Sequence, residues 1–336
     1  MISGHGDDIY SQSTKVVCNF SSNVDTLQDL SALRTHLTTC ISQIHSYPEP
    51  DAASFAELLA KKHRVDSSHF CITNGATEAI YLIAQAFRGA KSAIIIPTFS
   101  EYEDASTLNQ HQLSFYLELD EVPQSIELVW LCNPNNPTGK VYSKIEIMKF
   151  LASHPHTTLI IDQSYEQFCP EELFTVDEAI QHERLILLHS LTKHFAIPGL
   201  RLGYFSSSTS LVNKIAKYRM PWSVNQLAIE AGKFLETEYD NLVDLTRHLA
   251  NAAELYEELS NIEQLEVNPS VTQFFLCQIK ENTRTAKELK EYLMNTEGFL
   301  IRDASNFRGL TPQHFRIASQ LPEQNQKLVK AIKSWF

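Results

Sequence analysis

Four short aliphatic runs, at residues 93–96, 128–132, 158–161 and 185–188, constrain this chain more than any other feature. Each is continuous rather than alternating, so each reads as a strand buried on both faces. Segments of helical period separate them. Strands that alternate with helices build a mostly parallel sheet sandwiched by helices, an α/β fold. Each run ends in polar or turn-forming residues: Pro97-Thr98-Phe99, the stretch from Asn133 to Gly139, Asp162-Gln163-Ser164-Tyr165, and Ser190-Leu191-Thr192-Lys193. Open α/β sheets bind ligands at the carboxyl ends of their strands. All four polar sets can therefore converge on one crevice.

The last set carries the clearest chemistry. Lys193 follows a strand end and is flanked by the hydroxyls of Ser190 and Thr192, with Arg201 beyond a Pro198-Gly199 break. Desolvation lowers a lysine's pKa, and a neutral amine can attack a carbonyl carbon. The hydroxyls and Arg201 suit a nearby phosphate. Upstream, a short strand at 70–73 runs into Asn74-Gly75-Ala76-Thr77-Glu78 and then a helix. Unpaired N–H groups at such a helix start favour an anion. A lysine that takes up an aldehyde beside a phosphate site is the signature of pyridoxal 5'-phosphate (PLP).

Further helices are expected at 30–44, 54–63, 211–218, 226–238, 242–259, 285–294 and 323–336, and strands at 271–279, 299–302 and 314–318. Beyond about residue 235 the regular alternation stops, which marks a second domain. The expected division is an N-terminal arm (1–30), a large PLP-binding domain (47–235), and a smaller α+β domain built from 31–46 and 236–336. With 28 basic against 40 acidic residues, the net charge of −12 argues against nucleic-acid binding. It leaves room for a small anionic substrate at local arginines. No apolar run approaches the ~18 residues of a membrane span. Six cysteines without C-x-x-C spacing point to a reducing, cytoplasmic setting. His154-Pro155-His156 reads as a solvated turn, and no metal site is expected.

With these motifs in this order, the chain resembles the PLP-dependent aminotransferases of fold type I (class I/II) over nearly its whole length. The resemblance implies the following roles. Lys193 bonds to the PLP aldehyde, Asp162 pairs with the pyridine nitrogen, and Asn136 and Tyr165 bond the ring oxygen. Lys193, Asp162 and Tyr165 form the catalytic set. Phe99 stacks on the ring. Gly75, Ala76, Thr77, Ser190, Thr192 and Arg201 surround the phosphate, and Tyr47 reaches it from the other subunit of a homodimer.

Within the family the sequence is most similar to the L-threonine-O-3-phosphate decarboxylases of cobalamin biosynthesis, with histidinol-phosphate aminotransferases next. The run from Ser190 to Tyr204, Met220-Pro221-Trp222-Ser223-Val224-Asn225, the His5-Gly6 pair, and Arg302 fourteen residues before Arg316 carry that likeness. It implies decarboxylation to (R)-1-amino-2-propanol O-2-phosphate, with His5, Gly6, Asn23, Asn136, Arg302 and Arg316 on the substrate. The alternative is an aminotransferase on a similar phosphorylated substrate. The chain departs from the decarboxylase pattern at Asp7, where glycine is usual, and at Gln320, where an arginine is usual.

Overall fold

The computed structural model describes residues 6–25, 27–238 and 243–336. Its large sheet has seven strands: β1 (Phe70–Thr73), β2 (Lys91–Ile95), β3 (Gln112–Tyr116), β4 (Leu128–Cys132), β5 (Thr158–Asp162), β6 (Leu185–Ser190) and β7 (Gly203–Ser207). Their spatial order is β1-β7-β6-β5-β4-β2-β3. Six run parallel, and β7 lies antiparallel between β1 and β6. Every residue of β4, β5 and β6 is buried, as the continuous aliphatic runs require. The helices Gly75–Ala86 and Thr209–Ala216 cover one face, packing Ile80, Ile83 and Ile215 around Trp130. Lys144–Ser153 covers the other with Ile147 and Phe150, and its start is fixed by the Ser143/Glu146 capping box.

A smaller antiparallel sheet holds β8 (Leu265–Val267), β9 (Phe274–Ile279), β10 (Arg302–Asp303) and β11 (His314–Ala318), in the order β10-β11-β9-β8. The helices Leu245–Ser260, Ala286–Glu297 and Pro322–Trp335 share its core, which includes Leu255, Leu289, Phe315 and Ile332. No helix among the described residues is long and apolar enough to cross a membrane.

Three expectations change. Part of the arm expected at 1–30 belongs to the small domain. Cys18–Asn19 pairs in parallel with Phe299–Leu300, and Cys18 and Phe20 join that core. Residues 31–46, expected with the small domain, pack on the large one. Leu33 of the helix Ser31–Cys40 sits in one cluster with Phe55, Leu59 and Ile229, because its apolar stripe meets the helix Gln226–Thr237. His154 is buried rather than solvated. Its ring stacks on Phe150 at 4.0 Å, and its two nitrogens face the carbonyls of Phe150 and Val122 at 3.0 and 2.9 Å.

Phe20 tests the arm assignment. Its ring is fully buried and meets Phe299 edge-on at 5.5 Å. Phe20→Ala should cost about 3–5 kcal/mol in chemical unfolding, whereas Val17→Ala, at a 67% exposed position, should change stability by less than about 0.5 kcal/mol. Equal effects would mean that residue 20 is not a core residue in solution.

Candidate active site

The carboxyl ends of β4, β5 and β6 open into one pocket. Asp162 closes β5, Ser190 closes β6, and Lys193 lies in the short helix Leu191–His194 that follows. The Lys193 carbonyl accepts a 2.9 Å bond from the Asp25 amide. Burial, helped by the charges of Arg316 and Arg201, lowers the Lys193 pKa to about 8, against the opposing pull of Asp7 and Asp162. A buried amine in this state is a nucleophile at mild pH.

Asp162 is held at both oxygens. Its Oδ1 accepts from the Ser164 amide at 2.9 Å and hydroxyl at 2.6 Å, and its Oδ2 accepts from the Tyr102 hydroxyl at 2.7 Å. Tyr165, Asn136 and Phe99 also line the pocket. Burial pushes the Tyr165 phenol up to about 12, with Arg316 pulling the other way.

The anion end is built by backbone. The helix Gly75–Ala86 starts directly after β1 and Asn74, and its first N–H groups lack helical partners. Gly75 has φ +77°, and a Cβ there would lie 2.5 Å from Arg201 Nη2. Only glycine lets the guanidinium come this close to the helix start. Arg201 itself takes the left-handed conformation, with φ 58°. Ala76, Thr77, Ser190, Thr192 and Arg201 line this part of the pocket, with the Ser190 and Thr192 hydroxyls 2.8 Å apart. An anion cradle, a poised amine, a fixed carboxylate and an aromatic face together fit PLP.

A second cavity adjoins the first and shares Phe99 and Asn136 with it. Arg302 and Arg316 line it, directly opposite each other across the β10–β11 pair. Arg316 donates to Asn136 Oδ1, and at 2.5 Å to the Ser21 carbonyl. Its Nε is buried without a partner. Arg302 bonds the Asp303 carbonyl at 2.6 Å and Asn306 Oδ1 at 2.7 Å. Burial lowers both guanidinium pKa values to about 10. Gly6 brings backbone against both, since a Cβ on it would sit 3.4 Å from Arg302 Cδ and 3.5 Å from Arg316 Nη2.

Not every expected residue gathers here. His5 lies outside the described residues. Asn23 is buried directly behind the pocket wall, with its side chain beside the Tyr165 hydroxyl and its carbonyl accepting from Gln273 at 3.3 Å. Tyr47 is 83% exposed beside Trp222 and lines neither cavity. Asp7 accepts from Asn19 Nδ2 at 2.5 Å, and Gln320 turns to the Ala318 carbonyl at 3.3 Å. Ser164, from the polar set at the end of β5, also lines the first cavity, while the sequence reading missed Tyr102, Cys132, Asn306 and Phe307. Tyr102, three residues beyond Phe99, offered the one usable signal.

The model of the aminotransferase class I and II family matches residues 16–332. The crystal structure of L-threonine-O-3-phosphate decarboxylase from Porphyromonas gingivalis is 40% identical, with a TM-score of 0.92 over 95% of this chain and 99% of that one. Threonine-phosphate decarboxylase of Salmonella typhimurium is 27% identical over 99% of this chain and 96% of its own. Histidinol-phosphate aminotransferase of Desulfitobacterium hafniense is 30% identical over 85% of this chain and 82% of its own.

The Lys193 amine gives a pH prediction. It is mostly protonated below about pH 8 and mostly neutral above it. Uptake of PLP by the cofactor-stripped chain should therefore accelerate as pH rises through 8 and then level off. Acceleration that continues past pH 10 would show an ordinary, solvated lysine.

Proposed function

The chain belongs to the aminotransferase class I and II family, whose members are PLP enzymes, and on that footing we propose that it decarboxylates L-threonine O-3-phosphate to (R)-1-amino-2-propanol O-2-phosphate. The observation that carries this reading is the opposed pair Arg302 and Arg316. Like charges directly across a strand pair destabilise it. Burying each adds a desolvation cost. Among the described residues Arg316 has no carboxylate partner. A small substrate with two anionic ends offsets both costs at once. Two guanidinium forks suit a carboxylate and a phosphate better than ammonium groups would. The decarboxylases among the relatives support the same choice.

Bound in the first cavity, PLP supplies an electron sink for whichever substrate bond breaks at Cα. This chain's residues choose the bond. Lys193 is the covalent anchor, Asp162 meets the ring nitrogen, Asn136 and Tyr165 meet the ring oxygen, and Ala76, Thr77, Ser190, Thr192 and Arg201 hold the phosphate. Arg316 grips the substrate carboxylate and Arg302 the substrate phosphate, with the Gly6 backbone closing over them. With PLP held there, that grip would present the Cα–carboxylate bond for cleavage, which is catalysis by positioning. Once CO₂ has left, the electron pair of the broken bond would be taken up by that sink until Lys193 Nζ or a water returned a proton to Cα. The second reading, transamination, rests on the histidinol-phosphate aminotransferase relative. In it the Cα–H bond stands upright and Lys193 removes that proton.

The active unit in this reading is a cytoplasmic homodimer. Ile41, Ile44, Tyr47, Met220 and Trp222 are 48–83% exposed large apolar residues. An apolar patch of this kind marks a contact surface. A second copy would cover it and carry Tyr47 to the neighbouring PLP phosphate. The six cysteines are all free and buried, which suits a reducing compartment.

Incubation of the PLP-loaded enzyme with L-threonine O-3-phosphate should release CO₂ with no keto acid added. Turnover that requires a keto acid and yields no CO₂ would establish the aminotransferase instead. Light scattering should give twice the 38.2 kDa chain mass, and a monomer at working concentration would remove Tyr47 from the site.

A further inference from the structure

Tyr102 carries a buried hydroxyl that contacts neither of the two arginines nor Lys193. It lies on the helix Glu101–Leu108 with 1% of its surface exposed. Its ring stacks on Trp130, with centroids 5.3 Å apart and planes 10° apart, and meets Phe99 edge-on at 5.9 Å. Its hydroxyl donates to Asp162 Oδ2 at 2.7 Å. A phenylalanine would fill the same space. A hydroxyl in apolar surroundings is a cost unless its hydrogen bond returns something.

What it returns is the orientation of Asp162. A carboxylate offers about four acceptor directions. The chain fills three: two on Oδ1 from Ser164 and one on Oδ2 from Tyr102. The remaining direction is on Oδ2, and Asp162 lines the pocket. We infer that Tyr102 is a positioning residue for the pyridine nitrogen of PLP, acting through Asp162. The inference rests on Asp162 being the partner of that nitrogen.

The hydroxyl acts in two ways. It fixes the plane of the carboxylate, so Oδ2 keeps one free direction rather than a choice of several. It also leaves Oδ2 as an acceptor toward the ring nitrogen, because the hydroxyl fills the neighbouring direction as a donor. A protonated nitrogen is what lets the ring withdraw electrons. Burial and the neighbouring Asp162 push the Tyr102 phenol well above its ordinary value, so it remains a donor throughout the working pH range.

Tyr102→Phe tests this with little change of volume, because the ring and its stack on Trp130 remain. Loss of a hydrogen bond to a charged group should speed PLP dissociation from the loaded enzyme about tenfold on dilution. The pH midpoint of the cofactor's visible absorbance should rise, because a less protonated ring makes its linkage to Lys193 more basic. Substrate KM should stay within about twofold while kcat falls, since the loss falls on the cofactor and not on Arg302 or Arg316. Asp162→Asn is the companion variant. If it speeds dissociation while Tyr102→Phe leaves both dissociation and midpoint unchanged, Tyr102 only packs and the inference is overturned. If neither variant changes them, the Asp162 assignment fails and takes the inference with it. If both do, the double variant should be no worse than Asp162→Asn alone, because the two act through one contact; an additive double variant would overturn the inference.

Discussion

Removing one amine from water is the constraint on which this structure depends. Lys193 can act as a nucleophile near neutral pH only because its ammonium form is poorly solvated, which brings its pKa to about 8. That requires a pocket floor without water. The buried parallel strands β4, β5 and β6 supply it, and their shared direction brings Asn136, Asp162 and Ser190 to the same edge. The polar groups that stay there are tied down. Asp162 has three protein donors, and Ser190 and Thr192 bond each other. Such satisfaction keeps a buried polar site from costing more than it contributes.

The smaller sheet completes the pocket. Its β10–β11 pair offers two guanidiniums, and one of them reaches Asn136 of the large domain. The segment at 18–25 links both halves. Phe20 anchors in the small-domain core, the Ser21 carbonyl accepts from Arg316, and the Asp25 amide donates to the Lys193 carbonyl. Asp25 also pairs with buried His248 at 2.8 Å. One short segment therefore touches both the backbone of Lys193 in the first pocket and an arginine of the second.

The sequence made the inner sheet legible because strands buried on both faces leave no polar alternation. β3 escaped for the opposite reason. It is an edge strand, Gln-Leu-Ser-Phe-Tyr, partly exposed and of mixed polarity. β7 escaped because only Tyr204 and Phe205 mark it among small and hydroxyl residues. The helix Ser31–Cys40 was found, but its Leu33 stripe could not say which domain it would meet. Likewise the site motifs lie at strand ends and could be read, whereas Tyr102 reaches Asp162 across 60 residues of sequence. No local pattern encodes that contact. Tyr47, exposed on a single chain, acquires a place at the site only if a second copy is present.

The central claim is that this chain's arginines select the Cα–carboxylate bond rather than the Cα–H bond for cleavage. Turnover of L-threonine O-3-phosphate in D₂O, followed by NMR of the product, reads that choice at the carbon itself. Decarboxylation puts one deuteron where the carboxylate was and leaves the substrate's own α-hydrogen in place. A product that has lost its α-hydrogen and kept its carboxylate would contradict the account.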